Sequence, residues 1–183
     1  MATTVAHGLI GITFYCAARS MCAHQNTLPL KTSMLLIAAI VANIPDMDML
    51  VSLLLFGDHR VLHGGVSHTL LFAVVGGVMV WLMAKNSSRR KVLSLTTSLI
   101  LSSHVLVDFF TGPNIGFHPT YGAAPLWPVV ESRIISPLTL FKGVEHSRIL
   151  PGALVTAFWE FVFLAPVTAL IVYVSSKDKP GYE

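Results

Sequence analysis

Charged side chains are scarce in this chain. Of its 183 residues, 11% are charged and 54% are hydrophobic, and the mean hydropathy is +0.70. Soluble domains carry about 25% charged residues. A soluble protein could not cover this much apolar surface with so few charges, so the composition excludes an ordinary soluble domain and indicates an integral membrane protein.

Basic residues and cysteines are also few, and their positions limit the kinds of partner and bond that this protein can have. The net charge is +3, and the basic cluster at residues 85–91 lies between two apolar runs, which is typical of a cytoplasmic loop. We therefore expect no nucleic-acid partner. Cys16 and Cys22 do not form a CxxC pair, so we interpret them as packing residues. No basic residue precedes the first apolar run, and we expect that run to be retained as a helix.

Five apolar segments follow one another along the chain. Each is near the ~20 residues that span ~30 Å of hydrocarbon. The second is broken near Pro45, because proline lacks a backbone donor and clashes with the preceding turn. We predict an all-α, polytopic bundle of about five transmembrane helices that forms a single domain over residues 1–183. The segments are residues 5–23, 32–56, 67–84, 92–110 and 151–175.

A long stretch, residues 111–150, separates the last two segments. It is rich in glycine, proline and aromatic residues, including Tyr121 and Trp127. It is too long for a simple turn, so we expect a functional cap or an interfacial segment. Threading five spans places eight basic residues on one side and four on the other. The more basic side is expected to be cytoplasmic, which puts residues 111–150 on the extracytoplasmic side of the membrane.

A polar pair lies at the end of the fourth apolar segment. His104 and Asp108 are four residues apart, which places both on one helix face. A charged group inside such a helix costs roughly 2.5–3.5 kcal/mol on insertion scales, unless a partner charge or a metal ion compensates. In the five-span threading, three other stretches carry ionisable groups to the same membrane face. These are His7, Asp46 with Asp48, and His63 with His68.

This mixture of imidazoles and carboxylates predicts a divalent metal site. It suits Zn²⁺ best, with Mn²⁺ or Fe²⁺ as alternatives. An aspartate can bridge two ions about 3.5–4 Å apart, and we expect two ions here. Such ions lower the pKa of water to about 7. At a membrane face the natural electrophile for this water is a lipid ester or phosphoester.

Single residues also have other interpretations. His7 can be a hydrogen-bonded core histidine, and Asp46 can mark a helix N-terminus, where carboxylates favour the helix dipole. Ser67 can cap a helix. Arg60 can bind a phosphate through a bidentate contact or can face lipid headgroups. Glu160 is a carboxylate inside the fifth segment. Ionisable residues within a membrane helix commonly have a function, but no partner for Glu160 is evident.

Taken together, several stretches resemble the YdjM-like membrane-bound metal-dependent hydrolases, some of which are described as LexA-regulated. The family is distantly similar to zinc-dependent phospholipases C and single-strand-specific nucleases, in which an aspartate after a His-x3 step bridges zinc ions. His104 and Asp108 match that step. The matching stretches are AHGLIG (6–11), NIPDMD (43–48), HGGVSHT (63–69), residues 103–111, and residues 121–133 with LWP and Arg133.

The resemblance implies a place in a bacterial inner membrane and roles for particular positions. The family has arginine after the first histidine of its His-Arg-Gly motif; Gly64 stands there in this chain, and Arg60 can substitute one turn earlier. Asp48, Asp108 and Arg60 are the expected catalytic residues. The expected metal ligands are His7, Asp46, Asp48, His63, His68, His104 and Asp108. The expected substrate-binding residues are Arg60, Ser67, His118, Trp127 and Arg133.

Two functions from different classes fit the sequence. The first is a metal-dependent hydrolase that acts on a phosphoester of a lipid or another membrane-associated molecule. In it, Asp108 bridges the ions and Asp48 orients water or acts as a base. The second is a non-enzymatic metal-binding or transport component, which would string ionisable groups through the membrane depth. A purely structural role for the histidines is the third possibility.

Overall fold

The computed structural model of the chain describes residues 2–21, 28–111, 123–134, 136–141 and 152–177. These ranges contain six α-helices, a single 3₁₀ turn at Val66–His68 and two isolated β-bridges, but no β-strand. The all-α prediction is confirmed for this part of the chain. The helices are α1 (Thr4–Met21), α2 (Thr32–Ala42), α3 (Met47–Phe56), α4 (Leu70–Met83), α5 (Arg90–Phe109) and α6 (Gly152–Lys177).

Fewer helices than expected are long enough to cross a bilayer. Only α5 and α6, among the described helices, are long and apolar enough by themselves; α2 and α3 add a third span if the bent pair, with an angle of 48°, crosses as one. α4 has 14 residues, short of the ~20 that a span requires. Each predicted segment contains an α-helix and the break at Pro45 is confirmed, but the expectation of five spanning helices is not confirmed.

Helix α1 lies at the centre of the bundle. It packs against α2, α5 and α6, while α4 packs against α5. Gly11 permits the close approach of α2, because a Cβ atom added there would lie 2.5 Å from the Cβ of Ala42. Cys16 is fully buried in the same core, as expected of a packing residue, whereas Cys22 lies outside the described residues. Gly11 and Ala42 thus bring α1 and α2 close together.

The distribution of polarity is that of a membrane protein. Large apolar side chains cover the outside of the bundle, such as Leu54 on α3, Met79 on α4 and Phe163 on α6. The interior holds buried polar groups, among them His7 and His104, which are 0% exposed. Lipid can solvate the apolar exterior, whereas the buried ionisable groups require partners inside the protein.

Candidate metal centre

Three side chains from α1 and α5 form the more buried half of a polar cluster, which we call the deeper half. Asp108 lies between two imidazoles: its Oδ1 is 3.5 Å from His7 Nε2, and its Oδ2 is 3.4 Å from His104 Nε2. The one-turn offset on α5 thus places His104 and Asp108 side by side, as their spacing predicts. All three side chains are buried. Helix α1 brings His7 to the cluster, and Gly11 lets this helix approach α2 closely.

The shallower half comes from the α2–α3 break and the 3₁₀ turn before α4. Asp46 stands at the start of α3, where its Oδ1 is 3.3 Å from His68 Nε2 and 3.5 Å from His104 Nε2. His68 Nε2 is also 3.6 Å from Asp108 Oδ2. Asp46, His68, His104 and Asp108 therefore connect the two halves into one cluster. Pro45 places Asp46 here by ending α2 before α3 begins.

Several donor atoms converge closely enough to bind metal. Within the described ranges, three sets of side chains have ligand atoms that all lie within 4.8 Å of one another. Asp46, His68 and His104 each belong to two of the three sets, so the cluster offers adjoining positions rather than separate ones. The sets are His7 with Asp46 and His104, Asp46 with His63 and His68, and His68 with His104 and Asp108.

The cluster also leaves buried polar atoms unsatisfied. Both ring nitrogens of His7, His104 Nε2 and both oxygens of Asp108 have no hydrogen-bond partner among the residues that the structure describes. Buried polar atoms without partners are costly, and a cation bound between them removes that cost. The donor set of imidazole nitrogens and carboxylate oxygens therefore fits a divalent metal ion such as zinc, manganese or iron.

A backbone carbonyl orients His104. The carbonyl oxygen of Ala42, the last residue of α2, lies 2.8 Å from His104 Nδ1. Nδ1 must carry the proton to donate this hydrogen bond, which leaves the lone pair of Nε2 directed at Asp46 and Asp108. Metal-binding histidines are commonly oriented in this way through their second nitrogen. The sequence carries no signal for this contact, because any residue supplies a carbonyl group.

Asp48 contacts the Nδ1 atoms of His63 and His68, not their Nε2 atoms. Its Oδ1 is 2.8 Å from His63 Nδ1, and its Oδ2 accepts a hydrogen bond from Ser67 Oγ at 2.6 Å and lies 3.2 Å from His68 Nδ1. This contact pattern is that of a carboxylate that orients metal-binding imidazoles. The roles predicted for Asp48 as a direct ligand and as a base stay predictions. Thr69 caps α4 by accepting a hydrogen bond from the amide of Phe72, so Ser67 is not the cap of that helix.

The remaining expected substrate contacts lie on two loops. Arg60 pairs with Asp58 through hydrogen bonds of 2.6–3.0 Å, and these bonds hold the pKa of the Asp58 carboxyl well below its usual range. Arg133 donates a hydrogen bond from Nη2 to the carbonyl oxygen of Gly64 at 3.3 Å. The segment that carries Arg133 therefore lies against the loop of His63.

The same segment is held at the start of α4. The amide of Leu70 donates to the carbonyl oxygen of Pro125 at 2.9 Å, two residues before Trp127. Residues 123–134 thus contact the loop of His63 and the start of α4. The interpretation of the long stretch as a cap or an interfacial segment stays a prediction. His118 and Tyr121 lie outside the described residues. The roles of Trp127 and Arg133 in substrate binding stay predictions.

Glu160 has a partner that sequence reasoning missed. The carboxylate accepts hydrogen bonds from the backbone amide of Thr3, at 3.3 and 3.2 Å, and from the Thr3 hydroxyl. Asn43 was also missed as a contact of α1: its Nδ2 donates to the carbonyl oxygen of Thr4 at 3.2 Å. The two residues hold the same end of α1. Contacts over such sequence separations leave no local pattern to read.

The comparison with known proteins gives one match. The family model described as YdjM inner membrane protein matches residues 1–178. No curated protein and no solved structure matches the chain, so the likeness to phospholipases C and nucleases stays a prediction, as does the orientation in the membrane. The match covers nearly the whole length, from the helix that carries His7 to the last span, and the chain therefore belongs to the YdjM family of inner membrane proteins.

Proposed function

We propose that this protein is a membrane-embedded, metal-dependent hydrolase that cleaves a phosphoester of a lipid or another membrane-associated molecule. The observation that carries the proposal is the set of buried donor atoms in the cluster that have no hydrogen-bond partner among the described residues, notably on His7, His104 and Asp108. Donors from separate helices converge there, as metal sites in helical bundles require. The resemblance to membrane-bound hydrolases adds the reaction class.

Two of the donor sets would each hold an ion in this proposal. His7, Asp46 and His104 would hold one ion, and Asp46, His63 and His68 would hold a second, so that Asp46 is shared. A divalent cation bound there supplies Lewis-acid chemistry, which activates water and polarises a phosphoryl oxygen. Asp108 directs one oxygen to each neighbouring imidazole and so ties the donors together.

Other residues of the chain orient the donors and the substrate. Asp48 fixes the rings of His63 and His68 through its two oxygens. Arg133 lies over the loop of His63, where a guanidinium group can make a bidentate contact with a phosphate. Arg60, which pairs with Asp58, offers the same chemistry from the loop that also carries His63. Access is from the side that we expect to be extracytoplasmic.

The transport alternative receives less support. A translocation path would need polar groups along the depth of the membrane that are available to bind the transported ion. The buried ionisable side chains Arg19 and Glu160 lie outside the cluster, and both are engaged by hydrogen bonds: Arg19 donates to the carbonyl oxygens of Leu28 and Ser175, and Glu160 accepts from Thr3. These groups stabilise helix ends. A purely structural role for the histidines is disfavoured by the unsatisfied atoms of His7 and Asp108.

The test is release of phosphate or headgroup from mixed micelles by the purified chain. We expect release that a chelator abolishes and a divalent metal ion restores. Asp108→Ala should abolish it, while Glu131→Gln, which changes an exposed carboxylate on the long loop, should leave it intact. Equal turnover by wild type and Asp108→Ala would overturn the proposal.

A further inference from the structure

Glu160 places a carboxylate inside the apolar helix α6. Glu160 is only 6% exposed. A group of this kind is expensive inside a membrane helix, and its presence calls for a specific partner. The partner is the beginning of α1, since both oxygens of Glu160 lie within hydrogen-bond distance of the Thr3 amide and the Thr3 hydroxyl also donates to the carboxylate.

Thr3 connects Glu160 to the metal centre through the backbone. The Thr3 hydroxyl oxygen accepts a hydrogen bond from the amide of Val5 at 3.2 Å, which caps the first turn of α1. The carbonyl oxygen of Thr3 accepts from the amide of His7 at 3.2 Å. Glu160 therefore holds the residue whose carbonyl group supports His7, one turn further into the helix.

His7 depends on its backbone for its position. Neither ring nitrogen makes a hydrogen bond within the described part of the chain, and the ring stacks on His104 with centroids 3.7 Å apart. His104, by contrast, is oriented by the carbonyl group of Ala42. The place of the His7 imidazole in the donor set is thus fixed by the first turn of α1.

We propose that Glu160 is a positioning residue for the metal centre: by fastening Thr3, it fixes the first turn of α1 and so the place of His7 among the metal donors. A carboxylate at the N-terminus of α1 also interacts favourably with the helix dipole. The proposal rests on the proposed metal centre. It gives a role to Glu160, which is the acidic residue of α6 and lies outside the cluster.

A matched control lies on the same pair of helices. Thr168, two turns further along α6, is buried and donates from its hydroxyl to the carbonyl oxygen of Leu9 at 3.3 Å. Thr168→Val removes a buried polar contact between α6 and α1 but leaves the start of α1 intact. Thr3→Ser keeps the hydroxyl of Thr3, whereas Thr3→Val removes it.

The experiment is a Co²⁺ titration of the full chain in lipid nanodiscs, followed by the visible absorption of bound Co²⁺. Glu160→Gln and Thr3→Val are expected to weaken Co²⁺ binding about tenfold or more and to change the absorption spectrum, because His7 is displaced. Thr168→Val and Thr3→Ser should keep the wild-type affinity and spectrum. If Glu160→Gln fails to fold, Thr3→Val decides the question.

Two results would overturn the proposal. The first is wild-type affinity and spectrum in both Glu160→Gln and Thr3→Val. The second is an equal loss in Thr168→Val, which would show that any polar contact between α1 and α6 has this effect. A wild-type chain that binds no Co²⁺ would overturn the metal centre itself, so the failure of the proposed function is distinguishable from the failure of the role of Glu160.

Discussion

The imidazole rings of His7 and His104 stack face to face, with centroids 3.7 Å apart and planes 15° apart, although one residue lies on α1 and the other on α5. Two protonated rings would repel each other at this distance. Neutral imidazole is the form that binds metals. Both rings direct Nε2 towards Asp108, at 3.5 and 3.4 Å. The stack joins the two helices at the centre of the donor set.

Neutralising Asp46 and neutralising Asp48 should have different effects on metal binding. Asp46 faces His68 and His104 directly, so Asp46→Asn is expected to remove a metal ligand and to abolish binding at the shallower position. Asp48 contacts His63 and His68 from behind, so Asp48→Asn should weaken binding by about 10–100-fold without abolishing it. Titration with Zn²⁺ against a competing chelator measures both, and equal effects would contradict these assignments.

Metal binding should stabilise the folded protein. A ligand that binds only the native state at about 100 times its Kd adds about 2.7 kcal/mol to the free energy of unfolding. Thermal unfolding in detergent should therefore shift upward when Zn²⁺ is added and downward with a chelator. Asp108→Asn should remove the response to Zn²⁺, while Glu131→Gln should retain it. An unfolding temperature of the wild type that is indifferent to metal would count against the site.

Close packing of α1 on α2 gives a prediction that is independent of metal. In Gly11→Ala, the added Cβ atom would lie 2.5 Å from the Cβ of Ala42 and 2.9 Å from the carbonyl oxygen of Ala38. Relieving this overlap should cost about 1–3 kcal/mol of stability. In Gly8→Ala, the nearest atoms lie at 3.5 Å, so the change should be tolerated. Denaturant unfolding of the two variants measures the difference, and equal stability would contradict the packing.

Arg133 should affect the substrate rather than the metal. Its side chain reaches the carbonyl oxygen of Gly64, beside His63. If the guanidinium group binds the phosphoester, Arg133→Ala should raise KM and leave the Zn²⁺ affinity unchanged. Arg133→Lys should restore KM only partly, because an ammonium group lacks the bidentate geometry of arginine. Steady-state hydrolysis with graded substrate concentrations decides this; an unchanged KM in Arg133→Ala would remove the residue from the substrate site.

The convergence of the cluster could be predicted from the sequence. The one-turn spacing of His104 and Asp108 follows from helical geometry, and a polar pair in an apolar helix implies partners. Pro45 indicated the break that places Asp46 at the start of α3. The structure brings these residues together with His7 and His68.

Other features could not be predicted from the sequence. The contact of Glu160 with Thr3 joins residues 157 positions apart, and the contact of His104 with Ala42 uses a backbone carbonyl. The position of Asp48 behind the histidines depends on the turn that carries His63 and not on a helical period. The span count differed because α4 is shorter than its apolar run, the second run bends at Pro45, and α1 is long enough at 18 residues but not apolar enough.

The most direct measurement of the central claim is the metal content of the full chain. The protein would be purified in mild detergent, incubated with Zn²⁺, Mn²⁺ or Fe²⁺, freed of unbound metal by gel filtration and analysed for elements beside Asp108→Asn. We expect bound divalent metal at one or two ions per chain in the wild type, because the donor sets share aspartate ligands, and we expect its loss in the variant. Wild-type protein that folds but retains none of the three metals would contradict the account.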